Sequence, residues 1–300
     1  MNLNTMNLNT MICNSAISAL LLTAAGIPLL HAGIGDVIKT ALTPEIRVES
    51  PKVRVLLSHD QPGALIEVKG KYKIFDPRTN EQLSINFQGK RRLMEAQEDG
   101  LRWGEEFPGI YQLVIVPDNS ATTIVVDGIE YQGSIYVYDV GGTLSLVNKL
   151  DVEDYLKAVL LKRYPSTVVL PTELLAAVAI VARTANYANA QSGKSPYWDV
   201  DAAKEGYRGY ALARGSKAVE EAIIKTQYLA LQEQEQNKGP FLPDWNSSAG
   251  KRYQGTTYSL ISLDEAQKMA ESGKNAGDIL KKAFPNASLQ LSYKSPSKGN

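Results

Sequence analysis

LDVEDYLKAVLLKRYP (residues 150–165) and LPTELLAAVAIVARTANYANAQ (residues 170–191) decide how the rest of the chain must be arranged. In the first, Asp151 is suited to cap a helix whose apolar positions are Val152, Tyr155, Leu156, Val159 and Leu160, and Pro165 stops it. In the second, Pro171 suits the first helical position and Glu173 complements the helix dipole in the first turn. This helix is apolar on nearly every side until Arg183 and ends before Gly193. A helix apolar all round must be surrounded by protein or lipid. The run from Leu174 to Ala182 is far shorter than the roughly 20 residues that cross a bilayer, so protein surrounds it. Arg183 inside such a helix then needs an acid or a ligand, because an unpaired buried charge is too costly.

Outward from these helices, the pattern on the N-terminal side alternates with period two from Glu45 to Val147. The predicted strands are IRVESPKVRVLLS, GALIEVKG, KYKIFD, LSINFQ, IYQLVIVP, TTIVVD and IEYQGSIYVYDV, with Asp127-Gly128 as a two-residue hairpin turn. Tyr131, Tyr136 and Tyr138 invite a carbohydrate-stacking reading. Packing is preferred, because Tyr136 and Tyr138, two apart in a strand, share one face. On the C-terminal side, Ser216 can cap KAVEEAIIKT, YLALQEQE alternates, Ser262 to Glu265 forms a capping box, and Asp278 to Phe284 is a short helix stopped by Pro285. Strands first and helices after predict an α+β fold. An N-terminal antiparallel β-rich layer (residues 45–147) packs on a helical half (residues 148–292) built around the buried central helix, with a groove between them.

With 300 residues, 32 Lys+Arg against 32 Asp+Glu gives no global field to attract nucleic acid or an acidic membrane. The lone Cys13 rules out an intrachain disulfide, and two histidines, His31 and His59, are too few for most zinc sites. No metal or cofactor is expected, and no phosphate loop or dinucleotide fingerprint follows any strand. MNLNT occurs twice at the N-terminus and carries no fold information; the apolar run from Ala16 to Leu30 has the length of a signal-peptide core, with Ala32 and Gly33 as a small-residue cut point. No Lys or Arg precedes Lys39, but Gly26 and Pro28 argue against a cytosolic helix, so residues 1–32 are read as an export signal. The expected location is the periplasm or cell envelope, with a membrane anchor where the signal stays uncleaved. The tail from residue 293 is polar and reads as disordered.

The residues LSLVNKLDVEDYLKAVLLKRYP and PTELLAAVAIVARTANYA resemble the signature of the stage II sporulation protein D family, also called the SpoIID/LytB domain or amidase enhancer. PDWNSSAG is similar to that family's H-S-S-S-G-G, and QKMAESGKNAGDILKKAFPNASL is similar to its closing block, so the resemblance runs from about residue 46 to 291. It implies contact with peptidoglycan glycan strands. Active members resemble lytic transglycosylases, in which one carboxyl group protonates the glycosidic oxygen and then takes the proton of the sugar's 6-hydroxyl. The family's acid stands just before the proline of E-M-P, where this chain has Arg163, and a guanidinium has no proton to give.

Other matching positions differ as well: Trp245 stands in place of a His, Asp264 in place of a Tyr and Val178 in place of a Gln, while Glu153, Tyr155, Arg183, Thr184, Ser247, Ser248 and Gly250 are kept. The expected ligand contacts are Lys162, Arg163, Arg183, Trp245, Ser247 and Ser248, with Lys162 and Arg163 suited to the lactyl carboxylates of muramic acid. The competing expectation is that Arg163 lies along its own helix end and that Trp245 plugs the core. A binder of glycan strands is the leading expectation. An enzyme would have to recruit Glu153, Glu173 or Asp264 as its acid, and a third reading is a non-catalytic enhancer partnered with a cell-wall amidase.

Overall fold

The computed structural model describes residues 51–291, apart from 87–88, 161–169, 194, 212–215, 235–240, 246–251 and 254. The N-terminal half alternates as its sequence requires, and its strands are β1 (Lys52–Gln61), β2 (Gly63–Lys69), β3 (Tyr72–Phe75), β4 (Gln82–Asn86), β5 (Lys90–Gln97), β6 (Gly100–Trp103), β7 (Glu105–Pro108), β8 (Gln112–Pro117), β9 (Thr123–Val126), β10 (Ile129–Tyr131), β11 (Ser134–Val140) and β12 (Thr143–Asp151). Among the described residues they form two sheets, ordered β13-β1-β12-β11-β8-β3-β4 and β10-β9-β2-β5-β6-β7, where β13 (Val200–Asp201) comes from the second half of the chain. All pairings are antiparallel except that of β1 with β13.

Inward residues of both sheets share one core, with Val53, Val55, Leu113, Ile115, Ile135, Val137 and Leu146 from the first and Ile66, Val68, Met94, Leu101, Trp103 and Ile124 from the second. The predicted turn at Asp127-Gly128 joins β9 to β10, with both residues at positive φ (48° and 86°), as a tight hairpin needs. The β5–β7 ribbon was not predicted. Its sequence, KRRLMEAQEDGLRWGEEFP, is heavily charged and buries only Met94 from β5, so it lacks an apolar alternation; Trp103 anchors it by donating to the carbonyl of Arg92 at 3.1 Å.

β12 continues to Asp151, four residues past the predicted end of the β-rich part, because Lys52 to Leu56 of β1 pair with it in register. Asp151 makes no side-chain cap. Its carboxylate instead meets the Lys52 ammonium at 2.7 Å. Helix α1 (Val152–Val159) starts at the very next residue, with the Val152 N–H bonded to the Pro51 carbonyl.

The second half contains α2 (Thr172–Ser192), α3 (Ala202–Glu205), α4 (Lys217–Lys225), β14 (Leu229–Glu233), β15 (Leu242–Asp244), β16 (Arg252–Tyr253), β17 (Thr256–Tyr258), α5 (Leu263–Glu271), α6 (Ala276–Ala283) and β18 (Ala287–Leu291). The architecture is α+β, strands before helices, as the sequence predicts. α2 is the central helix: every residue from Leu174 to Val181 is buried, and α1, α4, α5, α6, β1, β14 and β15 all contact it. Pro171 sits one position earlier than expected, as the N-cap residue. The predicted caps are present at Ser216 and at Ser262, where the reciprocal box with Glu265 is complete. No helix among the described residues is long and apolar enough to cross a membrane. The stretches read as an export signal and a polar tail lie outside the described residues.

Candidate functional site

α2 presents one face through Val178, Val181, Ala182, Ala185, Asn186 and Asn189, spaced three and four apart. Opposite this face lie Tyr155, Val159 and Leu160 at the end of α1, Lys204 and Glu205 of α3, and the stretch Leu242 to Trp245. Together they enclose a groove of about 290 Å³. Among the described residues its lining lies within the helical half, Val200 included, whose strand pairs with β1 at the sheet edge, rather than between the two halves as expected. The reason is that β1 and β13 pair directly and close the seam where a groove between layers would run. The groove's two carboxylates among the described residues are Glu205, exposed, and Asp244, half-buried.

Trp245 is 4% exposed and packs edge-on against Phe284, with ring centroids 5.6 Å apart, so it does plug the core. It also walls the groove, and its indole N–H is buried with no hydrogen-bond partner among the described residues. Leaving such a donor unpaired costs about 1–3 kcal/mol.

Arg183 is no ligand contact. It is fully buried, its Nε and Nη2 donate to the Glu153 carboxylate at 2.8 and 2.7 Å, and its Nη1 donates to the Leu229 carbonyl at 3.0 Å. Thr184 continues this seam, accepting from the Leu231 N–H at 2.8 Å and donating to the Ile180 carbonyl. The Arg-Thr pair thus stitches α2 to the edge of β14. Asn148 is likewise structural: its amide donates to the carbonyls of Gln132 and Ser134, and it accepts from the Tyr207 hydroxyl at 2.7 Å. The Tyr207 ring packs on those of Tyr155 and Tyr131, and burial pushes the hydroxyls of Tyr155 and Tyr207 far above their ordinary range.

The three acids considered as replacements for the missing carboxyl do not reach the groove. Glu153 is held by Arg183. Glu173 accepts from Lys225 and from the Ala276 N–H, and these contacts lower its pKa, which makes it a poor proton donor at neutral pH. Asp264 is exposed in the first turn of α5 and is not part of the groove lining. Lys162, Arg163, Ser247 and Ser248 lie outside the described residues. Sequence reasoning missed Glu205, Asp244, Asn186 and Asn189. The two asparagines carried a signal, as polar residues three apart at the end of an otherwise apolar helix. The acids carried none, since Glu205 closes a one-turn helix and Asp244 ends a three-residue strand, both too short to show a period.

The site thus consists of a buried central helix seamed to an edge strand, with a groove at the end of its partner helix. A family model described as Stage II sporulation protein matches residues 140–232, which span β12, α1, α2 and β14. An uncharacterized protein of Chlamydia muridarum is 32% identical over 276 residues, covering 90% of this chain and 88% of that one. A Chlamydia pneumoniae protein, also uncharacterized, is 40% identical over 187 residues, covering 61% of this chain and 67% of that one, and one of Brachyspira hyodysenteriae is 28% identical over 181 residues, covering 59% and 47%. The chain belongs to the SpoIID family, and with it comes a cell-wall-related role. The match ends before PDWNSSAG and the closing block, although both Trp245 and helices α5 and α6 pack into the same core.

Proposed function

We propose that the chain is exported to the cell envelope and binds peptidoglycan glycan strands in the groove at the end of α1. The observation that carries this reading is Trp245 in the groove wall, whose indole N–H is buried with no partner among the described residues and would gain one if a bound sugar brought an acceptor against it. Asn189 adds an amide of the kind that pairs with sugar hydroxyls and acetamido groups, while Asn186, buried, already donates to the Ala182 carbonyl at 2.8 Å. Arg163 follows the last described turn of α1 by three residues and stands where the family's acid would be, so its role is to hold a carboxylate rather than to donate a proton. Purified sacculi test this. The wild-type chain is expected to sediment with them, and Trp245→Phe, which keeps the ring packing but removes the N–H, and Arg163→Glu are each expected to weaken that. No binding by the wild type, or binding unchanged in both variants, would overturn the reading.

A second reading, an active lytic transglycosylase, is favoured by one observation: Glu205 and Asp244 both line the groove. One carboxyl would protonate the glycosidic oxygen and then accept the 6-hydroxyl proton as the anhydro ring closes. Anhydromuramic products released from sacculi by the wild type and lost in Glu205→Gln or Asp244→Asn would establish this activity. Their absence would leave binding alone.

A further inference from the structure

Helix α1 separates the groove from a second cavity of about 370 Å³, with Tyr155 lining the first and Asp154 the second. This second cavity mixes polar and apolar walls, with Pro117 and Leu150 among the latter. Asn119, Ser120, Gln132 and Ser134 contribute amides and hydroxyls, and Tyr136 and Lys149 stand at its edge. Tyr136 begins a row of aromatic rings. Ile135 and Val137 turn into the core, so Tyr136 and Tyr138 lie on the opposite face of β11, half-buried, with rings near parallel at 16° and centroids 6.2 Å apart. The row continues through Tyr197, 4.9 Å from Tyr138 and 43% exposed, to Trp198 at 6.4 Å.

The loop carrying Tyr197 and Trp198 is fixed to the sheet. Asp199 accepts from the Arg54 side chain at 2.6 Å and from its backbone N–H at 2.8 Å, and Arg54 also donates to the Pro196 carbonyl. The rings are therefore held in place before any ligand arrives, which lowers the entropic cost of binding. Burial pushes the Tyr138 hydroxyl up to about 12, so it remains a donor through the physiological range.

Charge at this surface is mixed, but both carboxylates that line the cavity are already paired. Lys52 is matched by Asp151, and Asp154 by Lys157 at 2.9 Å. Lys149 rests over the Tyr136 ring, 5.9 Å from its centroid, and no carboxylate lies within ion-pair distance of it among the described residues. Tyr136 and Tyr138 are near parallel and Tyr197 meets Tyr138 edge-on at 60°, so the row offers pyranose rings aromatic faces and edges rather than one flat platform. Beside it, hydroxyls and amides suit sugar hydroxyls, and an ammonium without an acid suits a carboxylate.

The geometry points to a second glycan-binding surface, formed by Tyr136, Tyr138, Tyr197 and Lys149, that takes a polysaccharide bearing carboxylate groups. It extends the groove reading to a separate face and rests on it only for the identity of the polymer. The test is calorimetric titration of the full chain with a tetrasaccharide of alternating N-acetylglucosamine and N-acetylmuramic acid, and with neutral chitotetraose, in wild-type and Trp245→Phe backgrounds. Tyr197→Ala is expected to weaken binding of both sugars about five- to tenfold. Lys149→Gln is expected to weaken only the acidic one, about tenfold, which erases the preference between them. Wild-type affinities in both variants, or no binding of either sugar by the wild type, overturn the proposal. Losses in these variants with Trp245→Phe unaffected support it and overturn the groove reading instead. Circular dichroism of Tyr197→Ala checks that the exposed position leaves the fold intact.

Discussion

Glu153 and Glu173 occupy the first turns of α1 and α2, and each meets a cation from elsewhere in the chain, yet the two pairs carry opposite weight. Arg183 is fully buried and Glu153 nearly so, and the pair is bidentate with a further bond from Arg183 to a carbonyl. Glu173 and Lys225 lie at the surface, with side chains 29% and 55% exposed. Water screens the second pair and cannot reach the first, so only the first is needed to hold its helices together. The contrast also shows how differently the two acids are held away from the groove. Burial with a guanidinium commits one, and the other is held ionised.

The largest effect should come from cutting the buried pair at one end. Glu153→Ala leaves a guanidinium uncompensated in the core and is expected to cost about 3–5 kcal/mol in urea unfolding. Glu153→Gln with Arg183→Met should recover much of that loss; a double variant no more stable than the single would break the comparison. Next in size is Thr184→Val, which strands the Leu231 N–H at the β14 edge, with an expected loss of about 1–3 kcal/mol and faster hydrogen exchange in β14.

The smallest effect belongs to the exposed pair. Glu173→Gln should cost at most about 1 kcal/mol at neutral pH and less in high salt. Because Lys225 and the Ala276 N–H lower the folded-state pKa of Glu173, its contribution is fully present above the unfolded pKa and is lost as pH falls through the folded one. Thermal melts of wild type and Glu173→Gln should therefore converge in acid. A gap that persists or widens there would show that the carboxylate is not stabilised as described.

What could be read from the sequence was whatever depends on neighbours within a few residues. The capping box at Ser262, the cap at Ser216, the turn at Asp127-Gly128 and the all-round apolarity of α2 are local, and each is present. Asp151 shows the limit, since its short-range setting favours a cap but Lys52, 99 residues away, takes the carboxylate. The β5–β7 ribbon escaped notice because its inner face is supplied by few residues and its outer face is charged. For the site, the sequence demanded a partner for Arg183 but could not choose between acid and ligand; only the approach of α1 to α2 decides for Glu153. Glu205 and Asp244 reach the groove through the crossing of distant segments, which no spacing rule encodes.

The passage from β12 into α1 without an intervening loop residue has a mechanical meaning. Tyr136 and Tyr138 ride on the strand hydrogen-bonded to β12, and Leu160 stands at the far tip of α1, so the outer sheet face and the groove are mounted on a single cantilever. A load applied at one end of it would be felt at the other with little slack.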